Sequence, residues 1–241
     1  MINTSVAIVI PARRGSKGLP GKNTVNLAGR PMIEWSVLQA AREAGEFEWC
    51  RIIVTTDDPD VEELGAMWIE EDSRVILIRR PPYLCDDEVL TDPVLVHAVE
   101  ACRATFNIEP TYTVLLQPTS PLRPKGIVRQ CVTRCMDFDC DSVLTVHKGH
   151  FVWNEVNDGN EWRAVCSSPR RPRRQALTRE EKRWIENGNC YAVKTEMLLK
   201  TQRRLTGNVK MIEIPKLYGT EVDEPEDLDM VYWAIHRTGS C

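Results

Sequence analysis

This sequence has no long apolar run and no strong excess of one charge. None of its apolar stretches approaches the roughly 18 residues that a membrane-spanning helix needs, and its first residues lack the regions of a signal peptide. The formal net charge of −4 gives no global basis for binding nucleic acid or an anionic membrane surface. We therefore expect a soluble, cytoplasmic protein with neither of these partners.

The nine cysteines lack the spacing of a metal site or of a disulfide framework. Their number is odd, and they include no C-x-x-C pair. Cys131, Cys135 and Cys140 come nearest to a metal-binding group but lack the tight pairs that zinc sites use. We expect reduced thiols.

What the 241 residues contain is an alternation of strand-like and helix-like segments. Apolar runs rich in β-branched residues occur at 6–10, 51–55, 74–78, 112–116 and 142–146. Helical patterns separate them at 31–44, 60–70, 91–105 and 125–137. This alternation predicts an α/β fold with three layers, in which helices cover both faces of a mainly parallel sheet. Ligands of such sheets bind beyond the carboxyl ends of the strands.

The alternation of strand-like and helix-like segments ends at about residue 147. Asn157–Asn160 is a turn-rich run, and Pro169–Gln175 is too dense in arginine and proline for a regular element. The remaining predicted elements are hairpin strands at 151–156 and 161–165, strands at 189–194 and 210–214, and a helix at 226–236. We interpret residues 1–241 as a single domain in which 147–186 is a small β-rich insertion, suited to a dimer contact or a substrate wall.

The most informative segment runs from Ile8 to Asn23. An apolar strand ends there in a loop with three glycines, two arginines and two lysines. Glycines allow backbone N–H groups to converge on an anion, and the cations add charge-assisted contacts to phosphate. The segment therefore predicts a polyphosphate cradle.

Two common phosphate loops do not match this spelling. Ser16 stands at the first glycine of a Walker A motif, and Asn23 replaces its final Ser or Thr. The glycines fall at 15, 18 and 21 rather than in G-x-G-x-x-G. The chain is therefore neither an ordinary P-loop NTPase nor a standard NAD-binding protein.

Polar segments follow other predicted strands. Thr55-Thr56-Asp57-Asp58 is sufficiently explained as the cap of the next helix. The segment Gln117–Arg123 is a turn stiffened by two prolines, and Gln117 could contact a polar ligand. Asn187–Tyr191 offers amide and phenol groups for a hydroxylated substrate.

An acidic cluster, Glu221–Asp227, precedes the last predicted helix. In extended backbone the carboxylates of Glu221 and Asp223 point to the same side, which suits Mg²⁺ bound together with substrate phosphates. The alternative is a set of helix first-turn acids, which fits Glu226 and Asp227. The run Arg170–Arg174 has three interpretations: a nuclear localisation signal, a solvated charge run or a clamp for an anionic substrate.

The run Ile10–Asn23 closely resembles the first motif of the acylneuraminate cytidylyltransferases, the CMP-sialic acid synthetases. The resemblance continues in order through Thr55–Asp58, Arg80-Pro81, Gln117–Arg123, Asn187-Gly188 with Tyr191, and Asp223–Leu228. It covers nearly the whole chain. The related Kdo cytidylyltransferases lack the Ser16-Lys17-Gly18 spelling.

The resemblance implies a fold like that of nucleotide-diphospho-sugar transferases, of Rossmann type, and a homodimer joined by the insertion. It also implies that CTP and a nine-carbon 2-keto acid sugar yield a CMP-sugar and diphosphate, with Mg²⁺ or another divalent cation. N-acetylneuraminate, its deaminated form, legionaminic acid, pseudaminic acid and a Kdo-like sugar all remain candidate substrates. Alternatives of other kinds are a catalytically silent binding protein and, less well matched, a Rossmann oxidoreductase.

The resemblance also assigns residues. The nucleotide positions are Ala12, Arg13, Ser16, Lys22 and Asn23, with Arg80 and Thr91 at the cytosine. The sugar-acid positions are Gln117, Asn187 and Tyr191, and the metal ligands are Asp223 and Glu221. The catalytic group is expected to be Arg13, Lys22, Asp223 and, in the insertion, Arg173.

Overall fold

The computed structural model describes residues 1–149 and 183–238, together with the backbone of two short strands between them. Its α-helices are α1 Met32–Ala44, α2 Pro59–Glu71, α3 Thr91–Phe106, α4 Ile127–Asp137, α5 Thr195–Thr201 and α6 Pro225–Thr238. Its strands are β1 Ile2–Ala12, β2 Asn26–Leu27, β3 Arg30–Pro31, β4 Phe47–Thr56, β5 Val75–Arg79, β6 Tyr112–Leu115, β7 Ser142–Gly149, β8 Trp153–Val156, β9 Glu161–Ala164, β10 Arg183–Lys194 and β11 Val209–Glu213. Each predicted strand and helix overlaps one of these elements.

Seven strands form one sheet in the order β11-β7-β10-β6-β1-β4-β5. β1 pairs in parallel with β4 and β6, β4 with β5, and β7 with β11. β10 runs antiparallel to both of its neighbours, β6 and β7. The predicted mainly parallel α/β sheet is confirmed. The direction of β10 could not be predicted, because an apolar pattern reports burial and not strand direction.

Helices cover both faces of the sheet, as expected for three layers. Ile8 and Ile10 of β1 pack in the cluster that includes residues of α1, α2 and α4. Ala7 and Val9, which point to the opposite face, pack with residues of α3 and α5. All four side chains are fully buried, and burying a side chain the size of valine or isoleucine stabilises a fold by roughly 1.5–3 kcal/mol.

The sheet topology brings three segments to one edge. The loop after β1 and the segment after β6 leave from neighbouring parallel strands, so both lie beyond the carboxyl ends. The pairing of β10 with β7 shifts register between Glu186 and Tyr191. The residues of this bulge, 187–190, lie beside the end of β6, because Tyr191 pairs with Leu115. Bulges commonly re-aim side chains next to functional sites.

Strands β8 and β9 pair antiparallel, from Trp153 with Ala164 to Val156 with Glu161, which confirms the predicted hairpin. Arg183 pairs with Gly149 and Glu186 with Val146, so both ends of the predicted insertion continue strands of the main sheet. The run Arg170–Arg174, with Arg173, lies outside the described residues.

The described cysteines all have free thiols, and those in the core are buried in the clusters on the two faces of the sheet. The thiol of Cys140 donates a hydrogen bond to the sulfur of Cys135 at 3.5 Å, and the two form no disulfide. Within the part of the chain that the structure describes, no helix combines the length and the apolar character that crossing a bilayer demands.

Candidate active site

Hydrogen bonds hold the loop after β1 in shape. The side-chain amide of Asn23 donates to the carbonyl of Arg13 at 2.9 Å, across the loop. The N–H of Arg14 donates to the carboxylate of Asp57, just after β4, also at 2.9 Å. Asp58 caps α2 by accepting from its backbone, as predicted. Hydrogen bonds within the loop and to the residue after β4 therefore fix the backbone from which these cations extend.

A cleft of about 220 Å³ opens beside this loop. Its lining includes seven of the predicted site residues: Arg13, Ser16, Lys22, Asn23, Arg80, Thr91 and Gln117. Ala12 is 1% exposed and its methyl group packs in the core, so only its backbone could face a ligand. A larger groove, about 1070 Å³, lies between α1 and α4 and has none of the predicted site residues in its lining. The smaller cleft is therefore the candidate site.

Three cations of the loop are paired with carboxylates. Nζ of Lys22 lies 2.8 Å from Oδ1 of Asp223. Arg13 and Lys17 both contact Asp87, and the Lys17 distance is 2.8 Å. The hydrogen bond from Lys17 lowers the pKa of Asp87, so this carboxylate is charged at neutral pH. Sequence reasoning missed Asp87, because nothing distinguishes it from its acidic neighbours Asp86 and Glu88.

The acidic segment before α6 packs directly against the loop at Gly18. A Cβ at Gly18 would lie 2.6 Å from the carbonyl oxygen of Asp223, too close for any side chain. The carboxylate of Asp227 accepts from the N–H groups of Asp223, at 3.0 Å, and of Glu224, at 2.9 Å. This close approach places Asp223 beside Lys22.

Arg80 is a buried residue of the cleft lining. It is 5% exposed, and its Nη2 donates to the carbonyl of Thr55 at 3.1 Å. Burial lowers the pKa of Arg80, and its Nε has no hydrogen-bond partner among the described residues. Thr91 is the first residue of α3 and lines the same cleft. Both predicted cytosine-reading residues are thus brought to one place.

In the bulge of β10, Gly188 lies against two predicted site residues. Its φ is +62°, and a Cβ would lie 1.9 Å from Oε1 of Glu221 and 2.6 Å from Oε1 of Gln117. Glycine is therefore required for both its conformation and its contacts. The carboxylate of Glu221 and the amide of Gln117 converge over this residue.

Glu221 and Asp223 fit a divalent cation that a ligand's phosphates would help to hold. Burial, and next the charge of Asp223, raise the pKa of Glu221, whereas the charge of Lys22 lowers it. No three or more His, Cys, Asp or Glu side chains among the described residues are grouped to hold a metal ion. Mg²⁺ commonly binds one or two carboxylates plus substrate phosphates, so this donor set fits it.

Asn187 and Tyr191 are buried and bonded to protein groups, and neither lines the described cleft. The Oδ1 of Asn187 accepts from the hydroxyl of Thr145 at 2.7 Å. The hydroxyl of Tyr191 donates to Glu186 at 2.5 Å, and burial raises the pKa of this phenol. Gln117 is thus the predicted sugar-acid residue that the structure brings to the cleft, and contact of the other two with a sugar stays a prediction.

Arg123 braces the site from behind, a role that sequence reasoning did not assign. Its guanidinium donates to the carbonyls of Gln117, at 2.5 Å, and Asn189, at 3.0 Å, and to the hydroxyl of Ser36, at 2.9 Å. Burial lowers the pKa of Arg123 to about 10, so it remains charged at neutral pH. It therefore ties the segment after β6 to the bulge of β10.

Comparison with curated proteins identifies relatives named N-acylneuraminate cytidylyltransferase. The N-acylneuraminate cytidylyltransferase of Streptococcus agalactiae is 28% identical over 222 residues, which are 91% of this chain and 50% of that protein. N-acylneuraminate cytidylyltransferase A of Danio rerio is 30% identical over 244 residues, 97% of this chain and 51% of that protein. The chain thus spans about half the length of the curated relatives it matches.

The fold is shared with solved structures. A CMP:2-keto-3-deoxy-manno-octonic acid synthetase complexed with CTP superposes with a TM-score of 0.67 at 21% identity, over 97% of this chain and 99% of that chain. Residues 7–148 match the sequence model of a family described as cytidylyltransferase. This match covers more than half of the chain, from β1 to β7 and including Arg13, Lys22 and Gln117, so the chain belongs to the cytidylyltransferase family.

Proposed function

We propose that this chain transfers the cytidylyl group of CTP to a nine-carbon 2-keto sugar acid, N-acetylneuraminate or a close relative. The observation that carries this proposal is the convergence on one cleft of seven residues that resemblance assigns to CTP and the sugar acid. The names of the relatives in Streptococcus agalactiae and Danio rerio support the choice of sugar acid.

In the proposed reaction, the anomeric 2-hydroxyl oxygen of the sugar attacks the α-phosphorus of CTP. A new P–O bond forms, and the bond from the α-phosphorus to the oxygen that bridges to the β-phosphate breaks. Diphosphate leaves with that electron pair, and the hydroxyl proton is lost to solvent. Such phosphoryl chemistry requires mainly positioning and neutralisation of charge from the protein.

The described side chains suit those two tasks. Lys22 and Arg13 direct positive charge to the cleft for the triphosphate, and Arg80 lies at its buried part for the base. Glu221 and Asp223 would hold Mg²⁺ or another divalent cation, which when bound neutralises charge on the phosphate oxygens.

We propose also that the insertion joins two copies of the chain. Trp184 and Ile185, at the start of β10, are 40% and 42% exposed, as expected of apolar side chains that a second subunit covers. Analytical ultracentrifugation should give about twice the chain mass of 27.5 kDa. A monomer at all concentrations would contradict the dimer. A cytoplasmic location, or a nuclear one directed by Arg170–Arg174, stays a prediction.

A diphosphate-release assay tests the proposed reaction. The purified chain is incubated with Mg²⁺, each of the four common ribonucleoside triphosphates, and a panel of N-acetylneuraminate, its deaminated form, legionaminic acid, pseudaminic acid and Kdo. We expect release with CTP and at least one nine-carbon acid, and none when the acid or Mg²⁺ is omitted. Turnover with Kdo and no nine-carbon acid would favour a Kdo-like sugar as the substrate. Turnover with another nucleotide in place of CTP would contradict the proposal. No release with any combination would favour a silent binding protein.

A further inference from the structure

Asp87 occupies the cations that a polyphosphate would need. Its Oδ1 contacts Arg13, and its Oδ2 lies 2.8 Å from Nζ of Lys17. Both carboxylate oxygens are therefore used on cations of the loop after β1. Arg13 lines the candidate cleft, whereas Lys17 is largely exposed, with 81% of its side chain accessible. The carboxylate thus spans from the cleft to the solvent side of the loop.

The neighbours of Asp87 do not share these contacts. The carboxylate of Asp86 accepts from the backbone N–H of Glu88 at 2.9 Å, so it stabilises the local turn. Glu88 is exposed and belongs to the same acidic run. Asp87 is therefore the member of this run whose carboxylate reaches over to the phosphate loop.

Carboxylates and phosphates bind the same donors. Both accept charge-assisted hydrogen bonds from arginine and lysine. Nη1 of Arg13 donates to Oδ1 of Asp87, so a phosphate that approaches this nitrogen from the cleft competes with the carboxylate for it. Asp223, the carboxylate paired with Lys22, differs from Asp87. Under the proposed function, a ligand that takes Lys22 from Asp223 would bring a divalent cation for Asp223 to bind.

We propose that Asp87 is a resident counter-ion that competes with incoming phosphates for Arg13 and Lys17 and so determines nucleotide affinity according to phosphate charge. The identity of the nucleotide rests on the proposed function, whereas the competition for cations does not. A ligand with several phosphates displaces the carboxylate, and a nucleoside without phosphate gains nothing from its removal. Asp87 thereby weakens the binding of phosphate ligands and leaves the binding of a nucleoside without phosphate unchanged.

The test compares Asp87→Asn with Glu88→Gln, which removes the same charge from the adjacent position. Isothermal titration with CTP, inorganic tripolyphosphate and cytidine measures each affinity at low and high salt. We expect Asp87→Asn to bind CTP and tripolyphosphate about three- to tenfold more tightly at low salt, the range expected for releasing two exposed ion pairs. The gain should shrink at high salt. Cytidine affinity should stay within about twofold, and Glu88→Gln should match the unaltered chain.

Weaker or unchanged binding of tripolyphosphate by Asp87→Asn would overturn the inference, and weaker binding would mean that Asp87 holds Arg13 in position for phosphate. An equal gain in Glu88→Gln would overturn it as well, because the effect would then come from net charge. Asp87→Ala repeats the test if the amide forms new hydrogen bonds. A specific gain for tripolyphosphate in a chain that releases no diphosphate from CTP would support the inference and reject the proposed function.

Discussion

Gly188→Ala introduces one methyl group where two site residues converge. Gly188 has a φ of +62°, and the new Cβ would lie 1.9 Å from Oε1 of Glu221 and 2.6 Å from Oε1 of Gln117. Ordinary contact distances are about 3.5 Å, so the carboxylate of Glu221 must retreat by roughly 1.5 Å. Both neighbouring groups are the ends of flexible side chains, so the fold can accommodate the change while the site cannot.

The two effects have different sizes. An L-residue in the left-handed region costs about 1–2 kcal/mol, which lowers the melting temperature of a chain of this size by roughly 2–8 °C. Displacing a positioning group by about 1 Å can cost on the order of 10²-fold in rate. We therefore expect kcat/KM for CTP and the sugar acid to fall about a hundredfold in a protein that remains folded.

Gly207→Ala is the matched control. Gly207 has a φ of +61°, and its Cβ would lie 2.1 Å from a carboxylate oxygen of Asp141. Asp141 immediately precedes β7, whereas the bulge of β10 lies opposite Thr145, in the middle of that strand. The control therefore imposes similar backbone strain and a similar carboxylate clash away from the site.

Diphosphate release and thermal unfolding of both variants check the prediction. We expect similar losses of melting temperature in both, and a large loss of activity only in Gly188→Ala. The reasoning would be refuted if Gly188→Ala kept more than about a third of the activity. It would also be refuted if Gly207→Ala lost as much activity as Gly188→Ala, because the loss would then follow from backbone strain in general.

Three further changes probe the site and the core. Lys22→Ala should lower turnover at least about a hundredfold with little loss of stability, since Asp223 keeps 65% of its side chain exposed; near-normal turnover would remove Lys22 from the phosphate cradle. Asp223→Asn should abolish both activity and its Mg²⁺ dependence, and an unchanged Mg²⁺ titration would contradict a ligand role. Burial raises the pKa of Glu43, so stability falls as pH rises from the ordinary glutamate pKa through the raised value. Glu43→Gln cannot ionise and keeps one oxygen that can accept from the backbone N–H of Arg129. Its melting temperature should therefore fall less than that of the unaltered chain as pH rises through this range, and equal falls in both thermal unfolding series would contradict the reasoning.

Much of the fold was predictable because buried strands and helices have apolar residues at a regular spacing along the chain. The apolar run of β1 and the helical spacing of α1 and α3 predict elements that the structure confirms. The hairpin of β8 and β9 was predictable from a turn-rich run between two strand-like segments. The direction of β10 was not, since antiparallel and parallel strands that are buried on both faces have the same composition.

The site, like the fold, has residues that could be predicted from the sequence and residues that could not. Arg13 and Lys22 after β1 and Gln117 after β6 could be assigned from residue type and place, and the structure brings these three to one cleft. Asp87 and Arg123 could not be assigned, because their roles come from partners far away in sequence: Asp87 contacts Arg13, and Arg123 donates to Asn189 and Ser36.

Local propensity and alternation are properties of neighbouring residues, so the order of residues predicts a mainly parallel sheet with a cationic loop at its carboxyl edge. What that loop faces depends on the folded chain. The close approach at Gly18 brings Asp223 to Lys22, and the segment between Arg80 and Thr91 brings Asp87 to Arg13. Charge pairing acts through space and not along the chain, so these carboxylates became visible as partners of the loop only in the folded protein.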